Sequence, residues 1–238
     1  FSRGARIELL LEISTEEIVL FIEGAQNFLL QVQQYSKPVI AAISGLALGG
    51  GLELAMGCDY RISSNRENVI MGLPETSLGI IPAMGGTQNL SRIIGREKAF
   101  DIITEANVEI TPQKALDWGL VDMVVDEDSF VNEAFRIANT MNLEKHGITG
   151  KVTKTNEEIR SEIDKYLKET KIEVNPGERT APLARSLVSF IFSKTSAENY
   201  LEGLLYEKEV FVYLSGTSDC REGITALNEE RTPVFRGK

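Results

Sequence analysis

Histidine and cysteine are nearly absent from this chain. His146 is the single histidine, and Cys58 and Cys220 are the two cysteines. One imidazole set among polar residues leaves no His/Cys cluster for zinc and argues against a Ser-His-Asp relay. Two cysteines far apart, in unlike settings, form no disulfide framework and suit a reducing compartment. Positive charge is also short, with 25 Lys and Arg against 35 Asp and Glu, a net charge of −10. That balance excludes sequence-independent nucleic-acid binding, which needs a basic face. An anionic ligand must then be held by local donors. No run of about 18 apolar residues exists, so no membrane partner is expected. Phe1 is not followed by a basic flank and an apolar stretch, so no secretory signal is read and a cytoplasmic or organelle-matrix location is expected. What is present is ordinary for a folded protein: 238 residues, 42% hydrophobic and 25% charged, enough for one sizeable domain.

The chain is organised around residues 37–56, KPVIAAISGLALGGGLELAM. Residues 39–43 have the length and β-branched content of a buried strand, although periodicity alone does not separate that from a buried helix. Gly49, Gly50 and Gly51 follow, leaving backbone N–H groups uncovered, and a helix begins there. Its N-terminus presents unpaired N–H groups and a positive dipole end, which suits an anion or an oxygen that becomes one. Glu53 lies three residues after Gly50, and side chains lean toward the helix N-terminus, so its carboxylate hangs near the same spot. Donors for an oxyanion beside an acid/base group make a catalytic arrangement. Glycine triplets also let a helix pack on a strand, and a first-turn Glu also compensates the dipole. The residues by themselves leave both readings open.

Elsewhere, Ser14 and Glu17 form a capping box, and Ile18, Phe21, Ile22, Ala25, Phe28, Leu29, Val32 and Tyr35 recur at helical spacing, an apolar face expected in the core. Pro38 ends that helix. Strands are expected at 59–63, 69–72 and 121–125. Residues 73–88 form a Pro/Gly-punctuated loop with one acid, Glu75, among apolar neighbours, ending at a second Gly-Gly helix start. So sparse a polar setting poises Glu75 for proton transfer, while a solvated loop Glu is the competing reading. Helices are expected at 96–104, from Thr111-Pro112 to Gly119, and from an Asp128 cap onward. Residues 142–180 are dense in Lys, Glu and Thr and read as a surface insertion with a lone helix. Apolar helices return at 182–192 and 200–214, with a last helical turn at 219–227. A core over 1–125 and a helical C-terminal region over 126–238 are the expected division.

Together these segments resemble the enoyl-CoA hydratase/isomerase, or crotonase, superfamily. The resemblance rests on FSRGA at 1–5, PVIAAISGLALGGGLELA at 38–55, CDYRI at 58–62, GLPE at 72–75, LGIIP at 78–82, GGTQ at 85–88, REGI at 221–224 and PVFRGK at 233–238. It implies an α/β fold, a spiral of ββα units with a helical C-terminal region that trimerises, often as a dimer of trimers, with the first strands expected ahead of Phe1. It implies an acyl-CoA partner whose thioester carbonyl becomes an enolate, with coenzyme A as part of the substrate and no separate cofactor. On matching positions the backbone N–H groups of Ala5 and Gly50 form the oxyanion hole, Glu53 and Glu75 are the catalytic acids, and Gly49 and Ala83 border the water and substrate pocket. Hydration of a 2-enoyl-CoA is the expected reaction. The alternatives are a double-bond isomerase, a dehydratase, a cyclic acyl-CoA hydratase or hydrolase, or a non-catalytic CoA-binding member. Three departures stand out: Arg6 where the family usually has Asp, Ala83 where hydratases tend to have Gly, and the 142–180 segment.

Overall fold

Two small parallel sheets set the frame in the computed structural model, which describes residues 1–142, 148–196 and 198–238. His146 lies outside the described residues. The strands are β1 (Ile40–Ile43), β2 (Ala47–Leu48), β3 (Tyr60–Ser64), β4 (Met71–Gly72) and β5 (Met123–Val125). One sheet runs β1-β3-β5 and the other β2-β4, all parallel, with Ile40 opposite Tyr60 and Ala47 opposite Met71. Parallel neighbours cannot be joined by a tight hairpin, so the partner strands within each sheet are linked through crossovers. The helices that supply these crossovers and the flanking layers are α1 (Thr15–Gln34), α2 (Gly50–Gly57), α3 (Gly86–Ile94), α4 (Arg96–Thr104), α5 (Pro112–Asp117) and α6 (Glu127–Thr140). The C-terminal set is α7 (Asn156–Glu169), α8 (Pro182–Lys194), α9 (Tyr200–Ser215) and α10 (Ser218–Asn228). Repeated strand–strand–helix units leading into a helical C-terminal region make this the expected crotonase-like α/β fold.

Alternation along β1 explains why that strand sits between two cores. Ala41 and Ile43 point into the main core, while Ile40 and Ala42 pack on a smaller cluster with Ile62, Phe130 and Ile137. The capping box of Ser14 and Glu17 starts α1 as expected. Its apolar face divides differently from the expectation. Ile18, Ile22 and Leu29 are buried, but Phe21 and Phe28 are 45% and 52% exposed. The stripe is wider than the neighbouring helices cover, and its second half borders a cavity. Helix α6 begins at Glu127 with Asp126 in the cap position, two residues ahead of the expected Asp128 cap. In the 142–180 segment, α7 drives Ile159 and Ile163 into the main core, so it is part of the packing and not only a solvated surface. Among the described residues no helix is long and apolar enough to cross a membrane.

The opening residues are tied to the edge of β2. Ser2 N–H donates to the Leu46 carbonyl at 2.8 Å, and Leu48 N–H donates to the Ser2 carbonyl at 3.0 Å. This is possible because Gly51 has no side chain: a Cβ there would lie 2.2 Å from the Ser2 carbonyl oxygen. We therefore expect Gly51→Ala to displace residues 2–5 and destabilise the fold by about 1–3 kcal/mol, as overpacking against rigid backbone does. Urea denaturation measures the loss, and an unchanged midpoint would contradict this packing.

Candidate active site

Backbone geometry builds the first wall of the site. Gly49 has φ 54° and ψ −131°, open only to a residue without Cβ, and it precedes the first turn of α2. Gly50, opening that helix, has an N–H with no intrahelical partner. The opening turn of the chain lies directly against it: Gly4 has φ 85°, and a Cβ on Gly4 would sit 3.0 Å from Gly50 N. Ala5 follows immediately. Among the described residues, neither Ala5 N–H nor Gly50 N–H donates to a protein acceptor.

Two carboxyl groups form the second wall. Glu53, on the first turns of α2, is only 3% exposed. Its Oε1 accepts the N–H groups of Met84 and Gly86, each at 2.8 Å. Its Oε2 lies 3.9 Å from where a Gly50 Cβ would be, facing the glycine turn. Glu75 opens a 3-10 turn (Glu75–Leu78) and is 8% exposed. Its Oε1 lies 2.9 Å from where a Gly49 Cβ would be, so only glycine leaves room for it. Its Oε2 is buried and has no hydrogen-bond partner among the described residues. That turn is braced from behind by α10, which approaches so closely that Gly223 would place a Cβ 2.6 Å from the Leu78 carbonyl carbon.

These settings separate the two acids. Burial raises Glu53 to about 7, against the pull of its two amide donors. Burial raises Glu75 well above the usual carboxylate range, and the nearby Glu53 charge adds to the rise. Glu75 thus holds its proton to higher pH than a free carboxyl does.

A cavity of about 320 Å³ gathers all six residues singled out in the sequence: Ala5, Gly49, Gly50, Glu53, Glu75 and Ala83. The Ala83 carbonyl is fixed by Gln26 Nε2 at 2.8 Å. Beyond the acids the walls are hydrocarbon, from Ile13, Phe21, Phe28, Ile81 and Phe211. Arg6 stands at the cavity edge, exposed and 3.7 Å from Glu12. Among the described residues no group of three acid, histidine or cysteine side chains is placed to hold a metal ion.

Two functional-site neighbours were not legible in the sequence. Gln26, buried mid-helix on α1, bridges Ala83 and the Leu204 carbonyl. Glu207, fully buried on α9, accepts Gly85 N–H at 2.7 Å and Thr87 N–H at 2.8 Å. Burial raises it to about 8, with the Glu53 charge adding to the effect. The one available signal for Glu207 is the charged triplet 207–209 in the middle of a mostly apolar helix.

The profile of the enoyl-CoA hydratase/isomerase family matches residues 1–174. A probable enoyl-CoA hydratase of Bacillus subtilis is 32% identical over the whole chain, which covers 78% of that protein. An enoyl-CoA isomerase/hydratase of Mycosarcoma maydis is 31% identical, again over the whole chain and 73% of its own length. Among solved structures, an enoyl-CoA hydratase from Bacillus anthracis superposes with a TM-score of 0.53 at 30% identity, covering 99% of this chain and 76% of that one.

Burial of these acids fixes the sign of one pH effect. Glu53 and Glu75 are raised above their unfolded values, so the folded state keeps protons that the unfolded state has released. Stability from these groups is therefore greatest near the ordinary carboxylate pKa of about 4.3 and declines as pH rises through about 7 and beyond. Glu75→Gln removes the penalty without changing shape. It should raise the melting temperature at pH 8 and leave it nearly unchanged at pH 4.5; a lower melting temperature at pH 8 would contradict the burial of an unpaired carboxyl.

Proposed function

The chain belongs to the enoyl-CoA hydratase/isomerase family, and from that premise we propose that it adds water across the 2,3 double bond of a 2-enoyl-CoA. The observation that carries this reading is a cavity with two amides that have no acceptor among the described residues on one wall and two buried carboxyls on the other. The thioester oxygen sits between Ala5 N–H and Gly50 N–H. Water attacks C3, the π pair moves onto that oxygen, and Glu53 takes the proton the water releases. The enolate then collapses, and C2 takes a proton from Glu75. The product carries hydroxyl on C3 and hydrogen on C2, the net addition of one water, and the two acids reset by proton exchange.

Energetics favour this division of labour. An enolate is unstable in water at neutral pH, and fixed donors where charge develops each contribute roughly 3–4 kcal/mol. Two acids whose surroundings set different proton affinities are the usual arrangement for paired acid and base work. Glu53, held by two amides, is the easier to ionise and so the one free to take a proton; Glu75, whose Oε2 has no partner among the described residues, keeps its proton to higher pH and has one to give. The hydrocarbon walls suit an unsubstituted acyl chain.

Hydration of crotonyl-CoA, followed by loss of the enoyl thioester absorbance, tests this. Glu75→Gln is expected to lower turnover by about 10³-fold, in line with loss of a general acid, with circular dichroism unchanged. The wild-type rate should rise as pH passes about 7, where Glu53 ionises, and fall at higher pH as Glu75 loses its proton. Full activity in Glu75→Gln, or conversion of a 3-enoyl-CoA to a 2-enoyl-CoA with no hydration, would overturn the proposal.

A further inference from the structure

The amides at the start of α3 are divided between two acids from opposite sides. Met84 and Gly86 donate to Glu53 Oε1, while Gly85 donates to Glu207 Oε2 and Thr87 to Glu207 Oε1. Gln88 N–H adds a longer bond to Glu207 Oε1 at 3.2 Å. The Thr87 hydroxyl donates to Glu207 Oε1 at 2.5 Å and accepts from Gln88 Nε2 at 2.8 Å. Glu207 thus accepts on both oxygens. The approach of α9 is equally specific, since a Cβ on Gly203 would lie 2.1 Å from Gln88 Oε1. Glu207 does not line the cavity.

We propose that Glu207 is a positioning residue for the reaction: from α9 it fixes the first turn of α3, and that turn in turn holds Glu53 and the Ala83 backbone at the cavity wall. The proposal rests on the hydratase reading for its kinetic consequence, but its structural premise does not. Without Glu207, the Gly85, Thr87 and Gln88 amides lose their acceptor and the turn has only one anchor. The Met84 and Gly86 donors then shift against Glu53, and a misplacement of about 1 Å in such a group is enough for roughly 10²-fold in rate. Substrate binding through Ala5, Gly50 and the hydrocarbon walls is untouched.

Glu207→Gln tests this: the oxygen that remains serves only one side of the turn, because the amide nitrogen cannot accept an N–H. Turnover of crotonyl-CoA should fall about 10- to 100-fold while KM stays within about twofold, and hydrogen exchange should accelerate at Gly85 or at Thr87, whichever faces the nitrogen. Thr87→Val, which keeps the amide and loses the hydroxyl donor, should lower kcat severalfold, and Thr87→Ser should restore it. Unchanged exchange at Gly85 and Thr87 in Glu207→Gln overturns the structural premise whether or not the wild type hydrates. With an active wild type, a KM rise that accounts for the whole loss, or normal kcat in both Glu207→Gln and Thr87→Val, overturns the positioning role. A wild type inactive on every enoyl-CoA tested overturns the hydratase reading and with it the kinetic role, leaving the exchange result to stand on its own.

Discussion

Buried N–H groups at the start of a helix have to find acceptors, and in this protein that requirement organises the site. Helix α3 begins in the interior, where water does not reach its first amides, and an unpaired buried donor costs as much as a lost hydrogen bond. The acceptors come from α2 and α9 as Glu53 and Glu207, which take alternate amides from Met84 to Thr87. The helix dipole favours both charges. One structural need thereby brings an acid to the cavity wall, locks one of its oxygens and leaves the other facing the glycine turn.

The same arrangement sets the electrostatics. Glu53, Glu75 and Glu207 share one interior region: the Glu53 charge raises the proton affinity of both Glu75 and Glu207, and Glu207 raises that of Glu75. Burial is the larger cause for all three. Backbone amides offset it for Glu53 and Glu207, whereas Glu75 Oε2 has no partner among the described residues. Active sites commonly keep such a strained group at some cost to stability. Its position is enforced by close backbone contact: Gly79 would carry a Cβ 2.5 Å from the Asp219 carbonyl carbon, and Asp219 also accepts the N–H groups of Arg236 and Gly237. The end of the chain thus buttresses the turn that carries Glu75.

Much of this was readable residue by residue, and the exceptions are instructive. The capping box, the strand–glycine–helix unit at 40–57 and the second Gly-Gly start at 85–86 are local features, and the structure places them within a residue or two of expectation. The six residues picked out for the site do line one cavity. Helical spacing on α1 correctly marked an apolar face but did not distinguish Ile18 and Leu29, buried away from the cavity, from the half-exposed Phe21 and Phe28, which border it. Periodicity reports which side of a helix is apolar, not what lies opposite. Glu207 escaped because its partners are main-chain N–H groups about 120 positions earlier in the chain, and no residue type marks those donors.

Sequence by itself determined the elements, the glycine starts of two helices and Glu53 one turn beyond the first of them, because each follows from bonding within a few residues. Tertiary structure alone decided that Ser2 joins the edge of β2, that Gly4, next to Ala5, comes to rest against Gly50, that Glu75 reaches Gly49, and that a third acid on α9 clamps the turn above Glu53. Those outcomes depend on contacts between distant segments, which form only when the whole core closes and excludes water from the groups involved.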